Sequence, residues 1–209
     1  KTQTDMMNSV SDISCVSGQM PRIVGLAYAS KLYRNNKNLS DMENFSINGN
    51  EVVFGTIGDA STSEGHFWEA INACGVLQVP LIMSIWDDGY GISVPSEYHT
   101  TRNDLSKALS GFQRSSKKEN GYEIFTVHAW DYINLLKTYQ KAEKLAREDH
   151  VPCIIHVKDV TQPQGHTTSG SHERYKSKER LNWEKDFCCI KRMREWIIEN
   201  NFASNSEID

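Results

Sequence analysis

Long apolar runs are missing from this chain of 209 residues. No stretch approaches the roughly 20 residues that a helix needs to cross a bilayer, so a membrane span is excluded. Excess basic charge is missing too. With 23 Lys and Arg against 27 Asp and Glu the net charge is −4, which offers nothing to attract nucleic acid or an anionic membrane. The basic residues from Arg174 to Arg194 alternate with acids and read as a solvated helical face. No Cys-x-x-Cys pair occurs, and the five cysteines are an odd number. Free thiols in a reducing, cytoplasmic setting are expected. The first residues, KTQTDMMNSVSD, are polar throughout and do not read as a secretory signal. The chain starts on Lys1 in loop-like composition, which leads us to expect an excerpt of something longer.

What is present is the mixture of a globular domain: 38% hydrophobic and 24% charged residues, enough for one core over 1–209. Residues 21–34 carry apolar positions at helical spacing, with Pro21 in the first turn and Arg34 near the end. EVVFGTIG, 51–58, reads as a strand after the Asn48-Gly49 turn. A helix should begin at Thr62 or Ser63 and stop at Pro80. LIMSIW, 81–86, YEIFTVHAW, 122–130, and PCIIHVKDV, 152–160, read as three further strands. A short helical piece is expected near 104–110. Asp131 should cap a helix running to about Arg147. One amphipathic helix carrying Trp183, Ile190, Met193, Trp196 and Ile197 is expected to close the chain.

Near-continuous apolar strands alternating with helices predict an α/β fold of three layers, a mostly parallel sheet with helices on both faces. Ligands of such sheets sit at the carboxyl ends of the strands. Three ends stand out: GDAS at 58–61, DDGYG at 87–91 and QPQGH at 162–166. At the first, Asp59 offers a carboxylate, and the small residues after it expose backbone N–H groups at a helix N-terminus, a setting suited to phosphate. A plain capped turn would use the same residue types. At the second, Asp87 and Asp88 could be a solvated turn. Two acids ending neighbouring strands, Asp59 and Asp88, could equally form a hard-cation site of the magnesium type.

The order of these motifs resembles a known family. Gly58-Asp59, a helix, an apolar strand and the doublet 87–88 followed by x-Tyr, with Asp88 29 residues after Asp59, resemble the thiamine-diphosphate fingerprint. EGHFWEAINACGVLQVPLI, SGQMPRIVGLAYASKLYR and QPQGHTTSGSHERYK are similar to segments of one branch. That branch is the alpha subunit of the decarboxylating component of 2-oxo acid dehydrogenase complexes. The resemblance runs from about residue 8 to 199 and implies the thiamine-diphosphate-binding fold. It also implies oxidative decarboxylation of a 2-oxo acid with acyl transfer to lipoamide, and a lipoyl-bearing acyltransferase core as partner. Glu64-Gly65 and the Gly-His-Thr-Thr-Ser loop are closer to the branched-chain subgroup, 3-methyl-2-oxobutanoate dehydrogenase, than to the pyruvate one.

Carried over residue by residue, the resemblance makes Asp59, Asp88 and the carbonyl of Tyr90 ligands of magnesium. Ala60 and Ser61 would contact the diphosphate, Ile92 would lie beside the cofactor, and the backbone of Ser14 and Val16 would meet the aminopyrimidine. His166 matches the active-site histidine of proton and acyl transfer. His172 is expected to order its loop, and His66 and Trp68 to pack or face a subunit. A phosphate on Thr167 or Thr168 would disrupt the loop by charge. Two departures matter: Ala60 stands where glycine is usual, and Asp87-Asp88 where Asn-Asn is. The combination resembles a bacterial form with alpha and beta parts fused. The glutamate that activates the aminopyrimidine is absent, so a beta-like subunit or fused C-terminal domain is an expected partner. Rival readings are a transketolase-like enzyme, a metal-dependent phosphate-ester hydrolase using Asp59, and a non-catalytic interaction fragment.

Overall fold

A computed structural model describes residues 13–39, 44–166 and 171–209. Thr167 and Thr168 lie outside them. In chain order the elements are α1 (Met20–Asn35), β1 (Val53–Gly58), α2 (Gly65–Leu77), β2 (Leu81–Trp86), the two-residue strands β3 (Tyr90–Gly91) and β4 (Val94–Pro95), and α3 (Leu105–Ala108). Then follow β5 (Glu123–His128), α4 (Tyr132–Asp149), β6 (Cys153–Lys158), α5 (Lys178–Asp186), α6 (Cys189–Glu199) and α7 (Asn205–Ile208).

The main sheet has the order β1-β2-β6-β5 and every pairing in it is parallel. The central strands β2 and β6 are buried along nearly their whole length, as their near-continuous apolar sequences, interrupted by buried Ser84 and His156, lead one to expect. Alternation sends Leu81, Met83, Ile85 and Ile154 into one core with α1, α2 and Leu105 of α3. Ile82, Cys153, Ile155 and Val157 enter the other with Ala142 and Ala146 of α4. Each fully buried aliphatic side chain contributes roughly 1.5–3 kcal/mol. The path β1→β2 crosses the sheet in one direction and β5→β6 in the other. Right-handed crossovers therefore put α2 and α4 on opposite faces and leave a switch point between β2 and β6.

Helix ends follow local chemistry. Asp131 caps α4 by accepting from the Asn134 N–H at 3.2 Å, and Pro21 sits in the first turn of α1. The segment after Asp59 differs from a single helix. Ala60–Ser63 is a 3-10 turn, and Glu64, with extended backbone, caps α2 from outside. The closing helix is also not continuous. Cys188, at φ −53° and ψ 121°, leaves helical geometry and separates α5 from α6. The split lets Phe187 stack on Trp183 and meet Trp130 edge-on.

Candidate functional site

The sheet ladder continues past the strand ends and thereby fixes the site. The Asp59 N–H donates to the Trp86 carbonyl at 3.0 Å, and the Asp87 N–H to that of Val157 at 2.9 Å. The Val160 N–H donates back to the Asp87 carbonyl at 3.0 Å. The three strand ends are thus side by side around the switch point. After Asp87 the chain turns through Gly89, at φ +79°, with the Gly89 N–H on Asp87 Oδ1 at 2.9 Å and the Tyr90 N–H on Asp88 Oδ1 at 3.2 Å. The β3–β4 hairpin then lies against the turn after β1. A Cβ on Gly91 would stand 2.8 Å from that of Ala60, so only glycine permits this approach.

Burial makes the carboxylates unequal. Asp59 and Asp88 are almost fully enclosed, at 3% and 6% exposure, and Oδ2 of each has no hydrogen-bond partner among the described residues. Burial, reinforced by the charges of Asp87 and Asp88, pushes Asp59 up to about 8. Burial also raises Asp88, against the charge of His166, the Tyr90 N–H and the charges of Lys176 and Arg180. Burial acts the same way on Asp87. There a hydrogen bond and charge from His156, whose Nε2 donates to Oδ2 at 2.7 Å, outweigh it and hold the carboxyl low. His156 is fully buried, and its Nδ1 is 2.6 Å from the Ser106 hydroxyl. Asp87 is already satisfied, whereas Asp59 and Asp88 are left short of a cation. Two such oxygens are the donor type that a hard divalent ion takes.

The loop after β2 is gripped from the chain's C-terminal half. Glu184, fully buried, accepts from Lys176 Nζ at 2.8 Å and from Arg180 Nε at 2.8 Å. Arg180 Nη2 donates to the Asp88 carbonyl at 2.6 Å, and its guanidinium lies 5.4 Å from the Tyr90 ring centroid. Lys176 reaches the Gln162 carbonyl at 3.2 Å, so one buried cluster holds both the Asp88 loop and the loop leading to His166. His166 Nδ1 stands 3.8 Å from Asp88 Oδ2. On the β1 side, a cavity of about 300 Å³ is lined by Val16, Ser17, Thr56, Gly58, Ser61 and Trp86. The Ser17 hydroxyl ties it to the turn by donating to the Ser61 carbonyl at 3.0 Å.

A family model described as "Dehydrogenase E1 component" matches residues 3–209. The chain belongs to the dehydrogenase E1 component family. Among its relatives, the pyruvate dehydrogenase E1 component subunit alpha of Rickettsia bellii is 27% identical over 194 residues, 92% of this chain and 52% of the relative. The mitochondrial 2-oxoisovalerate dehydrogenase subunit alpha of Mus musculus is 25% identical over 191 residues, 90% of this chain and 38% of the relative. The chain therefore spans about half, or less, of the length of these relatives. Among solved structures, transketolase from Campylobacter jejuni superposes with a TM-score of 0.50 at 18% identity, covering 82% of this chain and 24% of that one. The fold is the α/β, thiamine-diphosphate-binding type.

Within this E1 component chain, the expected residues lie in three places. Asp59, Ala60, Ser61, Asp88, Tyr90 and His166 surround the switch point. Val16, 55% exposed, lines the cavity on the β1 side, with Ser14 exposed beside it. Ile92 projects from the hairpin, 61% exposed and at φ 58°. His172 packs on Gly165, Trp68 packs against the first core, and His66 is exposed. Sequence reasoning missed His99, Trp86, His156 and the Lys176–Glu184–Arg180 cluster. The Ser177 cap and the acid–base spacing of 180 and 184 were visible in the sequence, but only the fold aims Arg180 back across 92 residues at Asp88. Among the described residues no helix is long and apolar enough to cross a membrane.

Proposed function

We propose that this chain forms the diphosphate- and magnesium-binding, alpha-like half of the active site of a decarboxylating 2-oxo acid dehydrogenase that passes its acyl group to lipoamide. One observation carries the reading: two buried carboxylates without partners, Asp59 and Asp88, end adjacent parallel strands beside a turn of small residues. Asp59, Asp88 and the Tyr90 carbonyl would hold magnesium. The backbone of Ala60 and Ser61 would take the diphosphate, and Val16, Ser14 and Ile92 would flank the organic part. Thiamine diphosphate, when bound, supplies the carbon nucleophile that adds to the 2-oxo group and accepts the electrons released with carbon dioxide. His166 would hold and deliver protons beside it. A beta-like subunit or fused domain would supply the activating glutamate, and a lipoyl-bearing acyltransferase core would take the product.

The branched-chain reading rests on Glu64-Gly65 and the loop after Gly165. The identities of 27% and 25% to pyruvate and 2-oxoisovalerate relatives do not favour either substrate. The test is a titration with thiamine diphosphate, with and without magnesium, followed by quenching of tryptophan fluorescence. Trp86 lines the cavity and is the expected reporter. Binding should require magnesium and should be lost in Asp59→Ala and Asp88→Ala. Unchanged affinity in both variants would refute the assignment, and phosphatase activity without the cofactor would favour a hydrolase.

A further inference from the structure

A histidine outside every motif quoted above borders this site on the side of the turn after β1. His99 follows the short turn Ser96–Tyr98, and its carbonyl accepts from the Ser63 hydroxyl at 3.1 Å, which ties it to the turn after β1. Its Nδ1 is 3.0 Å from the hydroxyl of Thr100, a buried residue whose own N–H is held by the Ser96 carbonyl at 2.8 Å. The ring is therefore fixed with Nε2 aimed inward. Nε2 stands 3.9 Å from Asp59 Oδ2, beyond hydrogen-bond reach. Both atoms are buried and neither has a partner among the described residues.

Two orphaned polar atoms facing each other across such a gap are costly unless a third group comes between them. The site asks for one of each sign. Asp59 presents oxygen, which a hard cation takes; in the tautomer whose Nδ1 accepts from the Thr100 hydroxyl, His99 Nε2 carries an N–H, which suits an anionic oxygen and offers nothing to magnesium.

We infer that His99 Nε2 donates a hydrogen bond to an oxygen of the terminal phosphate of the diphosphate, across from the cation held by Asp59. This rests on the proposed magnesium–diphosphate site and adds a binding residue to it.

The experiment uses the full natural protein assembled with its partner, titrated with thiamine diphosphate at saturating magnesium by calorimetry. His99→Leu fills the space without a donor, whereas His99→Gln places an amide N–H at about the reach of Nε2. His99→Leu should raise Kd about tenfold or more, and His99→Gln should stay within about threefold of the unmodified protein, as expected for loss and retention of one bond to a charged oxygen. Thermal midpoints of the three ligand-free proteins should agree within a few degrees. An unchanged Kd in His99→Leu, or equal loss in both variants, overturns the inference. If the unmodified protein fails to bind, or Asp59→Ala binds equally well, the site itself falls and the inference with it. Normal binding that Asp59→Ala abolishes, with His99→Leu silent, removes His99 alone.

Discussion

Asp87 and Asp88 are neighbours in sequence with opposite environments. Asp87 spends its charge on buried His156 and on the Gly89 N–H, while Asp88 keeps one oxygen unpaired. The proposed metal ligand is anionic where the resembled fingerprint has asparagine. It should strengthen the cation contact and repel the diphosphate by the same electrostatics. Asp88→Asn is expected to keep cofactor binding with weaker magnesium affinity, and Asp88→Ala to lose both, measured by magnesium titration at fixed thiamine diphosphate. If Asn behaves like Ala, Asp88 is not a ligand. Ile92 offers a second test. A β-branched residue at φ 58° is strained by roughly 1–3 kcal/mol, more than the 0.5–1 kcal/mol that glycine loses in chain entropy. Ile92→Gly should therefore raise the thermal midpoint of the free protein while lowering cofactor affinity several-fold. A midpoint that falls would show that the strain is not there.

Helix α5 connects stability to the site. Glu184 neutralises two cations inside the protein, and removing one member of a buried ion pair costs about 3–5 kcal/mol. Glu184→Ala should therefore unfold at markedly lower urea. Arg180→Lys keeps the charge but gives up the fork that grips Glu184 and the Asp88 carbonyl together. It should weaken magnesium affinity about tenfold with a small change in thermal midpoint. Equal affinity would leave α5 as packing alone. Helix α4 ends on His150, in left-handed conformation and buried. Burial, then the charges of Arg34 and Lys31, hold its pKa below the ordinary value. The unfolded chain takes up the proton first, so this contribution is complete above about pH 6.5 and is lost as pH falls through the lower folded value. Compared with His150→Asn, which tolerates the same backbone, the unmodified protein should gain urea resistance as pH rises from about 5 to 6.5; the difference between the two cancels the titration of Asp59, which both share. The four strands of the main sheet and α4 were legible because their periods and caps are local, whereas the β3–β4 hairpin, expected as loop, was not. The break at Cys188 and the reach of Arg180 were not, because both answer to partners far along the chain.

Among the described residues, the site is open on one side. Val16, Trp86 and Ile92 stay 55%, 53% and 61% exposed around it, although all three are large and apolar. The three motif-bearing strand ends could be read from sequence because a parallel sheet lays its ligands there. What covers them could not, because no local pattern in the sequence marks a covering surface. A cofactor held through its diphosphate by the turn after β1 would leave its reactive end facing outward, where water competes with substrate and where the proposed beta-like partner would supply the activating glutamate. The 209-residue chain alone should therefore release no carbon dioxide from labelled 3-methyl-2-oxobutanoate or pyruvate at saturating thiamine diphosphate and magnesium. A beta-like partner should restore release and also tighten cofactor binding, since a partner that binds only the loaded form shifts the equilibrium by mass action. Turnover by the chain alone would place a complete active site within these residues. Cofactor affinity indifferent to the partner would separate binding from assembly, leaving the exposed apolar side chains to another role.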